Sequence, residues 1–331
     1  MPSSGRLGKV LLGLAVSAGL LLYLFWDVDL RVIASHLRGT LWTFLILSVV
    51  LNTLSMWTRA WRWSFLFPPG TRPTHLFRAL LVGYMGNNLL PLRAGELVRI
   101  YVASRHGPRF WTTLATVVVE RVLDGLAIGL VVAGLLLVIP VPGELRWPIA
   151  LFLSVEVVGI LLLVAIATAP ALCRVLIETL FHRVGWLERR LLDLLGTMTE
   201  GLRGLRTPRH VVPIILSSVA VWLWLALSVW AALYAAHLNL PLVAAFTVLA
   251  FLGVGVSLPS SPGFVGIVQA ATVLALALFA VPRPEALSFS LLLHASQFVP
   301  VTAVGLVILL SEHISLTDAT RASAQVASSE R

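Results

Sequence analysis

The residues with the most chemistry to offer lie in one nineteen-letter stretch, Gly83 to Tyr101, which reads GYMGNNLLPLRAGELVRIY. Here an apolar run is broken by Gly86, Asn87, Asn88 and Pro91, then restarts as a helix carrying Arg93, Glu96 and Arg99. Their i, i+3, i+6 spacing puts the three charges on one broad helix face. Arginine pairs with phosphate oxygens in bidentate fashion, and asparagine supplies neutral donors. A helix starting after Pro91 also aims free N–H groups at the break, which suits an anion. Asn87, Asn88, Arg93, Glu96 and Arg99 therefore form a candidate headgroup site. The competing reading is an ion network that only holds the helix in place.

Two further groups follow. Glu120, Arg121 and Asp124 stand inside an apolar run. Glu120 and Asp124 share a face at i, i+4, and Arg121 can reach Asp124 at i+3. Two acids and a base inside a span each cost roughly 2.5–3.5 kcal/mol on insertion scales, so they must face protein or water. They read as a proton- or ion-coupling group, as a clamp on Arg93 or Arg99, or as a buried structural triad. The second group is Pro259, Ser260, Ser261, Pro262 and Gly263, with Gly266 and Gln269 after it. Prolines free backbone carbonyls, serines refill them, and glycines permit close approach. It is either a second site or a tight turn between two spans. His294 and Gln297 read as interhelical packing, and Arg59 and Arg62, interleaved with Trp57, Trp61 and Trp63, as headgroup-level anchors. The histidines show no metal-ligand spacing, and no nucleophile triad, nucleotide loop or cofactor motif stands out. The expectation is a protein without catalytic residues, metal or cofactor, and not an enzyme.

The elements that must carry these groups are set by composition. Of 331 residues, 58% are hydrophobic and 12% charged, and the mean hydropathy is +0.94. A soluble domain of this length carries about twice that share of charge. The chain reads as an all-α polytopic integral membrane protein. The net charge of +9 is then explained by arginine-rich loops that orient helices and touch anionic lipid, not by nucleic acid. The single cysteine, Cys173, excludes an internal disulfide.

Full spans are expected at residues 10–26, 40–58, 112–139, 148–168, 211–237 and within 285–310, with 27–39 as a short polar loop. The stretches 76–88 and 94–104 are too short or too charged to cross and read as a re-entrant hairpin. The stretches 242–258 and 265–280 form either a second such hairpin or two short spans. Residues 171–209 mix charges with leucines at helical spacing, which suggests an amphipathic segment on the membrane surface. The membrane domain covers 1–315, and the tail 316–331 is expected to be disordered. With the N-terminus inside, most arginines fall on inner loops, leaving only Arg31, Arg38, Arg146 and Arg283 outside. This places a multi-pass protein in the cell (inner) membrane with both termini cytoplasmic. It also exposes an inverted-topology repeat, about 8–140 and 147–311, each half reading span, span, broken hairpin, span. Paired interrupted segments in matching positions point to a transport site.

The run from Asn87 to Arg99 (NNLLPLRAGELVR), then Glu120 to Asp124 (ERVLD), then Pro259 to Gln269 (PSSPGFVGIVQ) resembles the membrane region of the lysylphosphatidylglycerol synthase/flippase family. The resemblance spans most of the chain and fits the stand-alone, flippase-like members that lack the soluble synthase domain. It implies a lipid-translocating fold with cavities between re-entrant helices. The family's third motif usually has a second glycine and an acid where this chain has Phe264 and Gln269. Glutamine cannot bind a cationic headgroup as a carboxylate does, which argues against an aminoacylated lipid. The expected function is movement of an anionic phospholipid or polyprenyl-phosphate-type lipid between leaflets. The alternative is a non-transporting membrane subunit of a separate lipid synthase or glycosyltransferase.

Overall fold

The computed structural model describes residues 15, 17–26, 30–67, 70–90, 94–105, 109–139, 143–202, 208–256 and 261–312. The start of the expected first span, Pro91, Arg93, Pro259, Ser260 and the tail from 313 lie outside the described residues. Among the described residues the chain is helical throughout, without a strand. The helices are α1 (residues 17–25), α2 (Leu30–Arg38), α3 (Trp42–Ser64), α4 (Pro73–Leu89), α5 (Gly95–Ser104), α6 (Phe110–Leu136), α7 (Gly143–Thr168), α8 (Pro170–Phe181), α9 (Gly185–Gly201), α10 (Pro208–Ala235), α11 (Leu242–Gly255), α12 (Ile267–Ala277) and α13 (Arg283–Ser311).

Four helices are long and apolar enough to cross a bilayer: Trp42–Ser64, Ile149–Thr168, Arg209–Ala235 and Arg283–Ser311. The span within α7 has none of its apolar window buried in protein, so hydrocarbon is the solvent that suits it. α6 is as long, at 27 residues. It falls outside that group because Glu120, Arg121 and Asp124 all stand in it. α11 and α12 are the shorter apolar helices expected on either side of the second break.

One expectation changes and another is refined. Residues 30–38 are not a loop but helix α2. Its Ile33 is buried with Leu24 and Leu287, and Leu37 packs beside them. An apolar i, i+4 pair is enough to dock one helical face, and the flanking Arg31 and Arg38 had disguised it. Residues 171–209, expected as an amphipathic segment, are divided among α8, α9 and the start of α10. The chain turns at His182 to Val184, where the Val184 N–H donates to the Phe181 carbonyl. α8 then lies against α9, and α9 against α6. Leu195 and Met198 of α9 are buried, so this part of the segment is a packed element and not only a surface one.

The helices form two compact units. The first comprises residues 1–56, 78–99 and 221–331. In it α12 packs between α11 and α13, and α13 against α2. Ser48 of α3 and Ser228 of α10 share a buried hydrogen bond of 3.1 Å, the kind of polar link that joins helices where hydrophobicity cannot discriminate. The second unit comprises residues 57–77 and 100–220, built on α6 with α7 and α9 against it.

Candidate functional site

In the first unit, α4 and α5 flank the first break and touch backbone to backbone. A Cβ on Gly86 would stand 2.7 Å from the Gly95 Cα, and one on Gly83 would stand 2.5 Å from the Arg99 Cβ. Any larger residue at Gly86 pushes the pair apart, so glycine is what lets two short helices close on each other. This closeness sets the polar geometry. Asn87 Nδ2 donates to Glu96 Oε1 at 3.3 Å. Glu96 Oε2 lies 3.8 Å from Arg99 Nη1, and the Arg99 side chain is only 2% exposed. Asn87 Oδ1 is buried and has no hydrogen-bond partner among the described residues. Asn87, Glu96 and Arg99 are thus brought together.

Asn88 turns elsewhere. Its Nδ2 donates to Thr302 Oγ1 of α13 at 2.8 Å. Its backbone carbonyl faces Gly263, where a Cβ would stand 3.2 Å from it and 2.8 Å from Phe298. Gly263 has φ 69, a backbone state that glycine adopts without cost. The second break therefore rests on the end of α4, and the two interrupted segments meet inside one unit. Ser261 N–H donates to Ser17 Oγ at 3.3 Å. Gly266, at φ 88, leaves no room for a side chain against the Ser17 carbonyl. Helix α1 thus closes over the same break.

Gln269 is fully occupied. Its Oε1 accepts the Gly266 N–H at 2.7 Å, capping α12, and its Nε2 donates to His294 Nδ1 at 3.0 Å. It is a cap and a helix-to-helix strut, with no polar atom left over for a headgroup. His294 packs between helices as expected, and its ring also bonds the Gly263 backbone.

In the second unit Thr116, Glu120 and Asp124 line one face of α6, opposite the last turns of α3. Arg59 and Arg62 are not interfacial anchors: both are buried. Arg62 Nη2 lies 2.7 Å from Asp124 and 3.6 Å from Glu120. Arg59 Nη1 lies 3.4 Å from Glu120 and bonds Asp124 as well. Arg62 also donates to Ser218 at 3.1 Å, and Trp63 Nε1 to Thr116 at 3.0 Å. Two arginines face two carboxylates, so the cluster is neutral as a whole. Asp124 thus has its bonded partners in Arg59 and Arg62, and Arg121, exposed one turn away on α6, acts on it by charge alone. Sequence spacing offered no way to see this, since the partners stand 58 to 65 positions apart.

A separate cavity of about 310 Å³ in the first unit is lined by His36, Thr40, His237, Glu285 and Ser288. Both imidazoles are taken up by protein: His237 by the Gly39 carbonyl at 2.8 Å, His36 by Ser288 at 3.4 Å. The cavity reads as a clasp of helix ends, invisible in the sequence because its residues come from opposite ends of the chain.

The geometry so far is of polar, glycine-lined breaks and a neutral ion cluster within apolar helices. Residues 10–305 match the family model described as "Lysylphosphatidylglycerol synthase TM region". The chain belongs to this family. No curated protein and no solved structure matches it. Membership supports a lipid-related membrane function, and the three motifs all fall within the matched range.

Proposed function

We propose that the protein moves an anionic lipid between leaflets, its headgroup travelling along the paired breaks while its tails stay in hydrocarbon. The observation that carries this reading is the meeting of Asn88 and Gly263, two interrupted helical segments abutting in a chain otherwise fit to span a bilayer. Irregular backbone at membrane depth is tolerated only where it is buried in protein or lines a watery path. In this reading 76–104 and 242–280 are re-entrant hairpins from opposite sides of an inverted repeat, and both termini are cytoplasmic. Asn87 Oδ1, the open acceptor, receives a hydroxyl of the headgroup. Arg93 and Arg99 hold the phosphate, with Glu96 aligning Arg99. Because Arg99 is so enclosed, the phosphate reaches it only when the α4–α5 pair opens.

Purified protein in vesicles holding a labelled phosphatidylglycerol or polyprenyl phosphate tests this. Wild type scrambles the label; Arg93→Ala and Asn87→Ala stop it while melting at the wild-type temperature. Normal scrambling in both variants removes the site assignment. A second reading is a non-transporting subunit that presents lipid to a separate synthase or glycosyltransferase. α8 favours it, since none of its residues is buried and Leu172, Val175, Leu176 and Leu180 are exposed. A wild-type protein that scrambles nothing turns the argument to that reading.

A further inference from the structure

Glu156 is an acid that none of the preceding structure uses. It is the eighth residue of the Ile149–Thr168 span, roughly 10 Å along it at 1.5 Å per residue. No residue of that span's apolar window is buried in protein, and Glu156 itself is half-buried. The carboxyl group lies directly on Gly125 of α6: a Cβ there would stand 2.6 Å from Oε1 and closer still to Oε2. Glycine at 125 thus makes the recess that the carboxyl fills. Among the described residues Glu156 makes no hydrogen bond and no ion pair.

Three elements pack against α7, and their charges are committed elsewhere or make no bond to Glu156. α6 carries Asp124 beside Gly125, bound to Arg59 and Arg62, and Arg121 one turn away, exposed. α8 carries Arg174 and Glu178, which pair with each other at 2.9 Å. α9 carries Glu188, Arg189, Arg190 and Asp193. An ionised carboxylate without a partner in hydrocarbon is the costliest state such a group can take, and intramembrane acids commonly mark ion pathways and proton relays. By contrast, Glu120 and Asp124 each face two buried arginines.

We propose that Glu156 is a proton-binding site within the membrane, neutral when its α7 face meets lipid, and that its proton couples lipid movement to a pH gradient. The coupling rests on the translocase reading; the proton site does not. The first test is therefore independent of transport. Full-length protein in phosphatidylglycerol vesicles is treated with dicyclohexylcarbodiimide, which attacks protonated carboxyls in apolar surroundings, and the adduct is located by mass spectrometry. Labelling is expected on Glu156 and not on Glu120 or Asp124, falling about tenfold from acid to alkaline pH as the carboxyl titrates. No adduct at Glu156, or one indifferent to pH, overturns the site. The second test measures scrambling with and without a pH gradient. The wild-type rate is expected to change several-fold with the gradient, and Glu156→Gln to scramble at one rate in both conditions. A wild-type rate indifferent to the gradient overturns the coupling. pH-dependent labelling in a protein that moves no lipid sustains the proton site and counts against the translocase reading instead.

Discussion

The balance of charge around Asp124 makes a direct prediction. Replacing it by asparagine leaves two buried arginines facing Glu120 alone. Breaking a buried pair from one side costs about 3–5 kcal/mol, because a charge remains without its counterion. Asp124→Asn is expected to lower the melting temperature in detergent sharply, and adding Arg59→Met to restore more than half of the loss, since Arg62 and Glu120 then balance again. If the double variant melts below both singles, the cluster is not held by charge neutrality. Gln269 is argued the same way. Gln269→Leu orphans the Gly266 N–H and removes a partner of His294, at about 1–3 kcal/mol for each buried polar group left unmade. Gln269→Glu keeps the cap, and it keeps the link to His294 only if the imidazole carries a proton on Nδ1. Thermal unfolding of Gln269→Glu is therefore expected to match wild type at acid pH and fall below it at alkaline pH. Little of this was legible in the letters. Arginines among tryptophans at the end of a span look like anchors, and nothing local says that their carboxylates lie sixty residues on. Glu156 drew no notice within the span expected at 148–168, because its meaning depends on Gly125, which sequence spacing does not connect to it.

At the scale of elements, the α4–α5 pair is a local device, and local devices read well from sequence. Pro73, the break at residues 90–94 and Gly95 mark the two helices, and the observed bounds fall within a few residues of those expected. The same holds for α11 and α12 around Pro262–Phe264. What did not read was packing. α2 looked polar because its docked face is only a few residues wide, and α9 looked superficial because its charges outnumber Leu195 and Met198. The contact of Gly86 with Gly95 gives the sharpest test. Gly86→Ala places a methyl 2.7 Å from the Gly95 Cα, an overpacking expected to cost about 1–3 kcal/mol and to slow lipid movement. Gly134→Ala in α6, where nothing lies within 4 Å, is expected to melt as wild type does. Equal melting of the two variants means that α4 and α5 do not depend on backbone contact.

At the scale of the molecule, hydropathy and arginine placement identified a polytopic membrane protein because the bilayer imposes one rule on every span at once. The depth of the breaks follows no such rule; it depends on which helices surround them. The single native cysteine makes that depth measurable. In a Cys173→Ser background, Asn88→Cys and Ser261→Cys put one thiol at each break, and Leu162→Cys puts one on the exposed face of α7. If the breaks line a hydrophilic path, a membrane-impermeant maleimide reaches both break positions in intact vesicles while Leu162→Cys stays unlabelled in hydrocarbon. If the proposed function holds, loading the vesicles with phosphatidylglycerol slows labelling at both breaks together, because Asn88 and Gly263 adjoin and one headgroup covers both. Labelling at one break that is indifferent to lipid while the other is protected means that the two segments do not share a path. Silence at both, with the protein folded, means that Asn87 and its neighbours are packed kinks and that any lipid moves along another surface of the chain.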